Sequence, residues 1–259
     1  MRRLSHPIFW QLVSRSIRTD YLENLTGFAW LILQPLLLLA VYAFVFTQIF
    51  QARIPAAAEV GFVPYLAVAF WPWTAFSESI LKASGTVTGN AALIGKVAFP
   101  SELLPLSMAV ATFVMHMAGY AAVLLVLQLT GTGIHWLGVL AVLPVLALLC
   151  VAACAIGLFT SGLQVFVRDV AQMLPPLMTF WFFTTPILYS SSLLPEGLAR
   201  AIEWNPMSWF IGFVRGAVLE GRVELMGAVA PAIVLATVAL FWFCLRFFRR
   251  LSGHFEDFL

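Results

Sequence analysis

The stretch that decides the fold is residues 136–167, WLGVLAVLPVLALLCVAACAIGLFTSGLQVFV, which contains no charged side chain. A helix needs about 20 apolar residues to cross the hydrocarbon core of a bilayer. This stretch exceeds that length, and a helix that is apolar on every face must be surrounded by protein or lipid. The stretch therefore predicts a membrane-spanning helix.

Five other stretches have the same character, so the sequence predicts six membrane-spanning helices. Their boundaries are 28–50, 62–81, 103–129, 172–194 and 225–248. The composition agrees, because 62% of the residues are hydrophobic and only 10% are charged, whereas a soluble domain carries about 25% charged residues. We expect an all-α integral membrane protein with no soluble domain large enough to be an enzyme by itself.

The orientation in the membrane follows from the basic residues, which concentrate in cytoplasmic connections. Ten of the 14 Lys and Arg residues fall on the side of the N-terminus and the C-terminal tail, and four fall on the other side. Both termini are therefore predicted to be cytoplasmic. The net charge is only +2, which provides no overall field to attract nucleic acid, and nucleic acid is not expected as a partner.

Residues 5–20 predict a separate amphipathic helix before the first span. Apolar residues recur at helical spacing on one face, and the other face includes Arg15 and Arg18. A basic amphipathic helix is typical of a segment that lies in the membrane interface. A helix that docks onto a partner protein has the same pattern, so both interpretations are open.

The segment 191–224, between the last two spans, predicts two short helices within residues 194–215. Asn205 is a good N-cap and Pro206 suits the first position of a helix, so the break between the two falls there. The second helix is strongly apolar, which favours a pair that dips partway back into the membrane. An ordinary outer loop with an aromatic belt is the alternative.

The connection 82–102 predicts a short cytoplasmic helix that Asn90 caps and Pro100 ends. This helix is not part of any predicted membrane span, so its apolar residues are not explained by contact with lipid. They indicate a docking surface for a partner. Those residues are Leu93, Ile94, Val97 and Phe99.

Patterns for catalysis and nucleotide binding are missing from the sequence. The run from Gly89 to Lys96 resembles a phosphate loop but has the wrong spacing, and no Ser or Thr follows the lysine. Ionisable residues at membrane depth are costly and usually functional, and the candidates are Glu78, Lys82 and His116. Glu78 and Lys82 are four residues apart in the order that favours a helix ion pair, so a local pair and a transport role are both open.

Short motifs follow one another along the whole chain. They are LTGFAW (25–30), QP (34–35), PWT (72–74), NAALIGKVAFP (90–100), RDV (168–170), TPILY (185–189) and WNP (204–206). In this order they resemble the membrane subunits of ABC-2-type polysaccharide exporters, the capsule, O-antigen and teichoic-acid permeases, and most closely the capsule type. The alternatives are an ABC-2 permease for a lipid or drug, and a membrane glycosyl or phosphosugar transferase.

The resemblance implies a single ABC-2-type transmembrane domain over residues 1–259 and a transport role without enzyme activity. It implies a homodimer in the bacterial inner membrane, with the pathway for a lipid-linked polysaccharide at or near the subunit interface. Two separate cytoplasmic subunits would bind ATP and Mg, so no cofactor or metal is expected in this chain. Membrane lipids, and periplasmic and outer-membrane export proteins, are the further partners that it implies.

The resemblance also assigns candidate residues on the cytoplasmic side. Those that couple to the ATPase lie in the helix within residues 90–99 and in a second cytoplasmic turn at 168–169. They are Asn90, Leu93, Ile94, Lys96, Val97, Phe99, Arg168 and Asp169. Those that could attract the phosphate of a lipid carrier are Arg15 and Arg18.

Two further candidate sets lie in and beyond the spans. Aromatic rings can stack on the apolar faces of sugars, although packing or an interfacial belt is an equal alternative for each ring. The pathway candidates are Tyr42, Trp71, Trp73, Trp181 and Tyr189. The outer gate candidates are Trp204, Asn205, Pro206 and Trp209.

Overall fold

The computed structural model describes residues 6–19, 27–49, 60–94, 99–223 and 229–259. These residues form helices and turns, with no strand among them. The helices are α1 (His6–Ile17), α2 (Gly27–Phe44), α3 (Phe62–Ser84), α4 (Thr86–Gly89), α5 (Ala91–Ile94), α6 (Leu103–Leu129), α7 (Trp136–Phe166), α8 (Val170–Phe183), α9 (Glu196–Glu203), α10 (Pro206–Glu220) and α11 (Val229–Leu251). A π-helical turn, Val45–Ile49, continues α2, and 3-10 turns lie at Ser191–Leu193 and Ser252–Asp257.

Four helical segments of the described chain are long and apolar enough to cross a membrane. They are Ile32–Ile49, Leu103–Leu129, Trp136–Phe166 and Val229–Asp257. Large apolar side chains cover their outward faces, including Leu137 and Leu140 on α7 and Leu235 and Phe243 on α11. Soluble monomers rarely expose such continuous apolar surface. The chain is therefore a multi-pass, all-helical membrane protein.

The predicted span 62–81 corresponds to α3, the central helix of the bundle. α3 packs against α6, α7 and α10, and Leu66, Trp71 and Ile80 are fully buried in these contacts. Because other helices surround α3, this helix can carry Glu78 and Lys82 without presenting both charges to lipid.

The predicted span 172–194 is α-helical only as far as Phe183, in the helix Val170–Phe183, and its remainder holds just the 3-10 turn Ser191–Leu193. The helix ends ahead of Pro186, which has no N–H to donate and disfavours helical backbone in the residue before it. The non-helical chain then turns back, because the Tyr189 hydroxyl donates a hydrogen bond to the Phe183 carbonyl at 3.0 Å. The result is a shorter helix followed by a folded segment, residues 184–190.

The ends of α3, α6, α7 and α11 meet in an apolar cluster at one end of the bundle. Ala83, Leu106, Val165 and Phe248 are buried there together with Phe255 from the turn after α11. Van der Waals contacts among these side chains hold the C-terminal turn against the bundle. The C-terminal turn is thus part of the packed structure.

An ion pair joins the start of α6 to the last turn of α11 at the same end. Arg249 Nε and one terminal nitrogen donate to Glu102 Oε1 at 3.0 and 2.9 Å. This end of the bundle, which we call the basic end, carries Arg15, Arg18, Lys82, Arg168, Arg249 and Arg250.

The helix α1 packs along the first turns of α6 at the basic end. Val13 is buried in that contact, while Arg15 and Arg18 are exposed. Ile8 and Trp10 are also exposed. The helix therefore presents both basic and apolar side chains away from the described bundle.

The opposite end of the bundle holds α9 and α10. The break between them lies where the sequence predicts it, because Asn205 Oδ1 accepts the Met207 N–H at 3.0 Å and Pro206 begins α10. α10 then packs against α3 and α7.

The contact between α7 and α10 is close enough to involve the backbones themselves. The His135 N–H donates to the Val218 carbonyl at 3.0 Å. Gly138 faces the backbone of Ala217, and a Cβ added at Gly138 would overlap the Ala217 carbonyl oxygen. Glycine is what allows α10 to lie this near α7.

Candidate functional site

A cavity of about 510 Å³ opens between α2, α3 and α8. Two of the predicted pathway residues, Tyr42 and Trp73, line it. The other lining residues are Gln34, Leu38, Phe70, Thr74, Ser77, Glu78, Leu81, Pro175, Met178, Thr179 and Phe182. The volume is in the range of ligand-binding clefts, so this cavity is the candidate functional site.

Aromatic rings from three helices form one wall of the cavity. Tyr42 stacks on Phe182 with ring centroids 5.6 Å apart and an interplanar angle of 27°. Phe70 meets both rings edge-on at 5.9 and 6.0 Å, and the Trp73 ring lies 5.9 Å from Phe182. Such ring faces offer an apolar surface that the C–H faces of a sugar could contact.

Polar groups interrupt this aromatic wall. Thr74 Oγ1 donates to the Phe70 carbonyl at 2.9 Å, and Thr179 Oγ1 donates to the Pro175 carbonyl at 3.0 Å. Because each hydroxyl hydrogen is used within its own helix, the oxygen lone pairs are left to accept from a ligand. Gln34 adds an amide, which can both donate and accept. The cavity therefore combines flat apolar surface with hydrogen-bonding groups.

The charged group of the cavity is Glu78, which is part of a three-residue cluster. Its Oε1 lies 3.2 Å from Lys82 Nζ, one turn further along α3, so the structure confirms the local pair that the sequence predicts. Its Oε2 lies 2.7 Å from Nε2 of His116 on α6. Because an ionised carboxylate only accepts, Nε2 is the nitrogen that carries the hydrogen.

The other three pathway candidates do not line this cavity, although the Trp181 ring packs edge-on against Trp73, with ring centroids 5.9 Å apart. Trp71 is fully buried, and its indole N–H donates to the His116 carbonyl at 2.9 Å. Trp181 donates its indole N–H to Asn205 Oδ1 at 3.0 Å. Tyr189 belongs to the folded segment 184–190. The hydrogen bonds of Trp71 and Trp181 join α3 to α6 and α8 to the start of α10, and that of Tyr189 closes the folded segment onto the end of α8.

The gate candidates differ in their surroundings: Asn205 joins two helices, Trp204 is exposed and Trp209 is buried. Asn205 Nδ2 donates to the Thr184 carbonyl at 3.2 Å and to Thr185 Oγ1 at 3.0 Å, so it ties the start of α10 to the end of α8. Trp204 is 89% exposed. Trp209 is buried and stacks on Phe213 at 5.8 Å.

Arg215 is a structural residue that the sequence does not single out, because it is one of the four basic residues placed on the side away from the termini. It is buried on α10 and donates to three carbonyls, those of Tyr65 (3.2 Å), Pro186 (3.1 Å) and Ile187 (3.0 Å). Its guanidinium carbon lies 3.5 Å from the centroid of the Tyr65 ring. The signal in the sequence is a single basic residue within an otherwise apolar helix face.

The coupling candidates lie together at the basic end as far as the structure describes them. Asn90 Nδ2 donates to the Thr86 carbonyl at 2.8 Å, and its own carbonyl accepts the N–H groups of Leu93 and Ile94. Leu93, Ile94 and Phe99 are partly exposed, and the turn that holds Arg168 and Asp169 is exposed. Lys96 and Val97 lie outside the described residues.

Arg15 lines a small cavity of about 170 Å³ between α1, α4 and α6. Hydroxyl and amide groups surround it there, among them those of Thr19, Thr86, Asn90 and Ser107. Arg18 does not line this cavity. Within the described ranges, no group of three or more His, Cys, Asp or Glu residues could hold a metal ion.

The fold and the cavity define a class of protein, namely a helical membrane protein whose apolar helices enclose a cavity lined by aromatic rings and polar groups. The chain belongs to the ABC-2 type transporter family, whose profile matches residues 7–219.

The similarity to individual relatives extends over most of the chain. This chain is 28% identical to the O-antigen export system permease protein RfbA of Myxococcus xanthus, over 88% of each chain. A protein of the same name from Klebsiella pneumoniae is 24% identical over 89% of each chain. The polysialic acid transport protein KpsM of Escherichia coli is 22% identical over 82% of this chain and 81% of its own.

Proposed function

We propose that this chain is the membrane-spanning permease subunit of an ATP-driven transporter that exports a surface polysaccharide across the bacterial inner membrane. The observation that carries the proposal is the match to O-antigen and polysialic acid exporters over more than four fifths of each chain. The cavity supports it, because rings next to hydroxyl, amide and carboxylate groups suit a ligand with apolar faces and many hydroxyls. The cargo is a lipid-linked O-antigen or capsular polysaccharide.

The proposed topology has six spans, which are α2, α3, α6, α7, α8 and α11. The basic end is cytoplasmic, since basic residues concentrate on that side of a membrane, and both termini lie there. α9 and α10 then form a re-entrant pair at the outer surface. α1 lies in the cytoplasmic interface, where its exposed Ile8 and Trp10 contact lipid and its arginines contact headgroups.

The proposed pathway lies next to a second copy of the chain. On α8, Leu177, Phe180 and Phe183 are exposed beside the cavity wall, and a partner copy would cover them. Periplasmic and outer-membrane export proteins would receive the polymer beyond the outer gate. Detection of only monomers by native mass spectrometry in lipid discs would contradict the dimer.

The proposed energy source is a pair of separate ATP-binding subunits, which hold ATP and Mg, at the basic end. The segment 90–99 and the Arg168–Asp169 turn are the surfaces that would contact them. Both surfaces are at least partly exposed in the described residues, and the apolar Leu93 and Phe99 suit a groove in a partner.

A single charge in this surface tests the function. We expect Leu93→Asp to lower the amount of a co-expressed candidate ATP-binding subunit that copurifies with the chain by tenfold or more, because an unpaired carboxylate would be buried in the contact. The complex that does form with Leu93→Asp should no longer hydrolyse ATP faster when lipid-linked polysaccharide is added.

The matched control for this variant is Leu198→Asp, on the exposed surface of α9 at the opposite end of the bundle. It should copurify with the ATP-binding subunit as the wild type does. If the wild-type chain binds no ATP-binding subunit, or if both variants lose it equally, the proposed coupling is wrong.

Arg15 and Arg18 are proposed to attract the phosphate of the lipid carrier at the cytoplasmic surface. The hydroxyl-lined cavity beside Arg15 supports this, since charge-assisted hydrogen bonds bind phosphate strongly. We expect the double variant Arg15→Ala, Arg18→Ala to bind a polyisoprenyl phosphate in lipid discs about tenfold more weakly.

The control for the arginine pair removes the same charge at the opposite end, with Arg200→Ala and Arg222→Ala. That variant should bind the polyisoprenyl phosphate with wild-type affinity. Unchanged affinity and unchanged export in the Arg15 and Arg18 double variant would contradict the assignment.

A further inference from the structure

The Glu78 carboxylate is held in a fixed position at the wall of the cavity. Nε2 of the fully buried His116 holds one oxygen at 2.7 Å, and Nζ of Lys82 holds the other at 3.2 Å. The His116 carbonyl is in turn bound by the Trp71 indole. Contacts from two helices therefore orient a side chain that would otherwise rotate freely.

The fixed carboxylate still has acceptor capacity on the cavity side. Two carboxylate oxygens offer about four lone-pair sites, and the contacts with His116 and Lys82 use one on each oxygen. The side chain is 32% exposed, and Glu78 lines the cavity next to Ser77 and Thr74. A hydroxyl donor in the cavity can therefore reach an oxygen that is already oriented.

Glu78 is also the one charged residue among the described residues that line this cavity. Lys82 is bound to Oε1 of Glu78 and is not part of the lining. An acidic ligand would meet the carboxylate side of the Glu78–Lys82 pair, and like charges in direct contact repel although Lys82 offsets part of that repulsion. A neutral ligand with hydroxyl groups would meet an acceptor instead.

We propose that Glu78 binds sugar hydroxyls in this cavity and selects an uncharged polysaccharide segment over an acidic one. The proposal rests on the proposed function, because it takes the cavity to be part of the sugar pathway. It goes further by naming the residue that discriminates and the charge class of the cargo. Aromatic stacking alone would accept both kinds of sugar, since it contacts only ring faces.

The experiment uses two oligosaccharides that differ only at C6 of every second sugar, where one carries a carboxylate and the other a neutral hydroxymethyl group. One is an octasaccharide of alternating glucuronic acid and N-acetylglucosamine, and the other is the same octasaccharide with its carboxylates reduced to alcohols. Binding of each to the full chain in neutral lipid discs is measured by tryptophan fluorescence. We expect the wild type to bind the reduced form about tenfold more tightly, and Glu78→Gln to bring the two affinities within about twofold.

Glu196→Gln is the control, because Glu196 is an exposed acid on α9 at the opposite end; this variant should keep the wild-type ratio. Equal or tighter wild-type binding of the acidic form would overturn the proposal without any variant, so it stays testable if Glu78→Gln folds poorly. The proposal would also be overturned if Glu78→Gln left the ratio of the two affinities unchanged, or if Glu196→Gln removed the difference as well. Failure of both oligosaccharides to bind would overturn the sugar pathway through this cavity, and the inference with it.

Discussion

Replacing Arg215 with alanine is expected to lower stability in detergent by about 3 kcal/mol or more, because a buried acceptor that loses its donor costs about 1–3 kcal/mol. Three carbonyls, those of Tyr65, Pro186 and Ile187, would lose a charged donor at 3.0–3.2 Å. Buried carbonyls without donors are costly. The measurement is a thermal unfolding curve followed by size-exclusion chromatography, and export should be lost as the outer segment loosens.

Arg200→Ala is the matched control, because its side chain is 78% exposed and its ion pair with Glu196 is 4.0 Å long. Exposed pairs of this kind contribute at most about 1 kcal/mol. Arg215→Lys should fall between wild type and Arg215→Ala, since an ammonium keeps the charge but not the planar fork of the guanidinium. If Arg215→Ala unfolds at the same temperature as Arg200→Ala, the anchoring role is wrong.

Replacing Gly138 with alanine is expected to disrupt the contact between α7 and α10. The new Cβ would overlap the Ala217 carbonyl oxygen and lie 2.5 Å from the carbonyl carbon. A backbone cannot move aside as a flexible side chain can, so α10 would have to separate from α7. That movement would break the hydrogen bond from His135 to Val218. We expect the free energy of unfolding to fall by about 3 kcal/mol or more, at the upper end of overpacking effects.

The control is Gly212→Ala on α10, where an added Cβ meets no atom of the described chain within 4 Å. Alanine is the better helix former by up to about 1 kcal/mol, so this variant should be as stable as the wild type or slightly more stable. Both are measured as the fraction of monodisperse protein after heating in detergent. Equal behaviour of Gly138→Ala and Gly212→Ala would show that the close contact does not form.

The parts of the fold that depend on local sequence could be predicted. Uncharged runs gave the helices over 103–129 and 136–167 to within a residue, because lipid leaves so few alternatives to a helix. The break at Asn205 could be predicted from a cap residue followed by proline. The pair of Glu78 and Lys82 follows from a spacing of four on one helix.

The contacts that build the candidate site could not be predicted, because they join residues far apart in the sequence. His116 and Glu78 are separated by 38 positions and Arg215 and Pro186 by 29, and no local pattern encodes these distances. Trp71 and Trp73 are only two residues apart on α3, yet one is packed against α6 and the other lines the cavity. Which face of a helix is the inner one depends on neighbours that a single sequence does not identify.

The segment 184–190 is attached to α10 at two separate places. Asn205 binds Thr184 and Thr185 near the first turn of α10, and Arg215 binds Pro186 and Ile187 about three turns later. Two attachments that far apart prevent α10 from sliding along the segment or tilting away from it at one end. If both persist when the bundle rearranges, α10 and residues 184–190 must therefore move together as one unit.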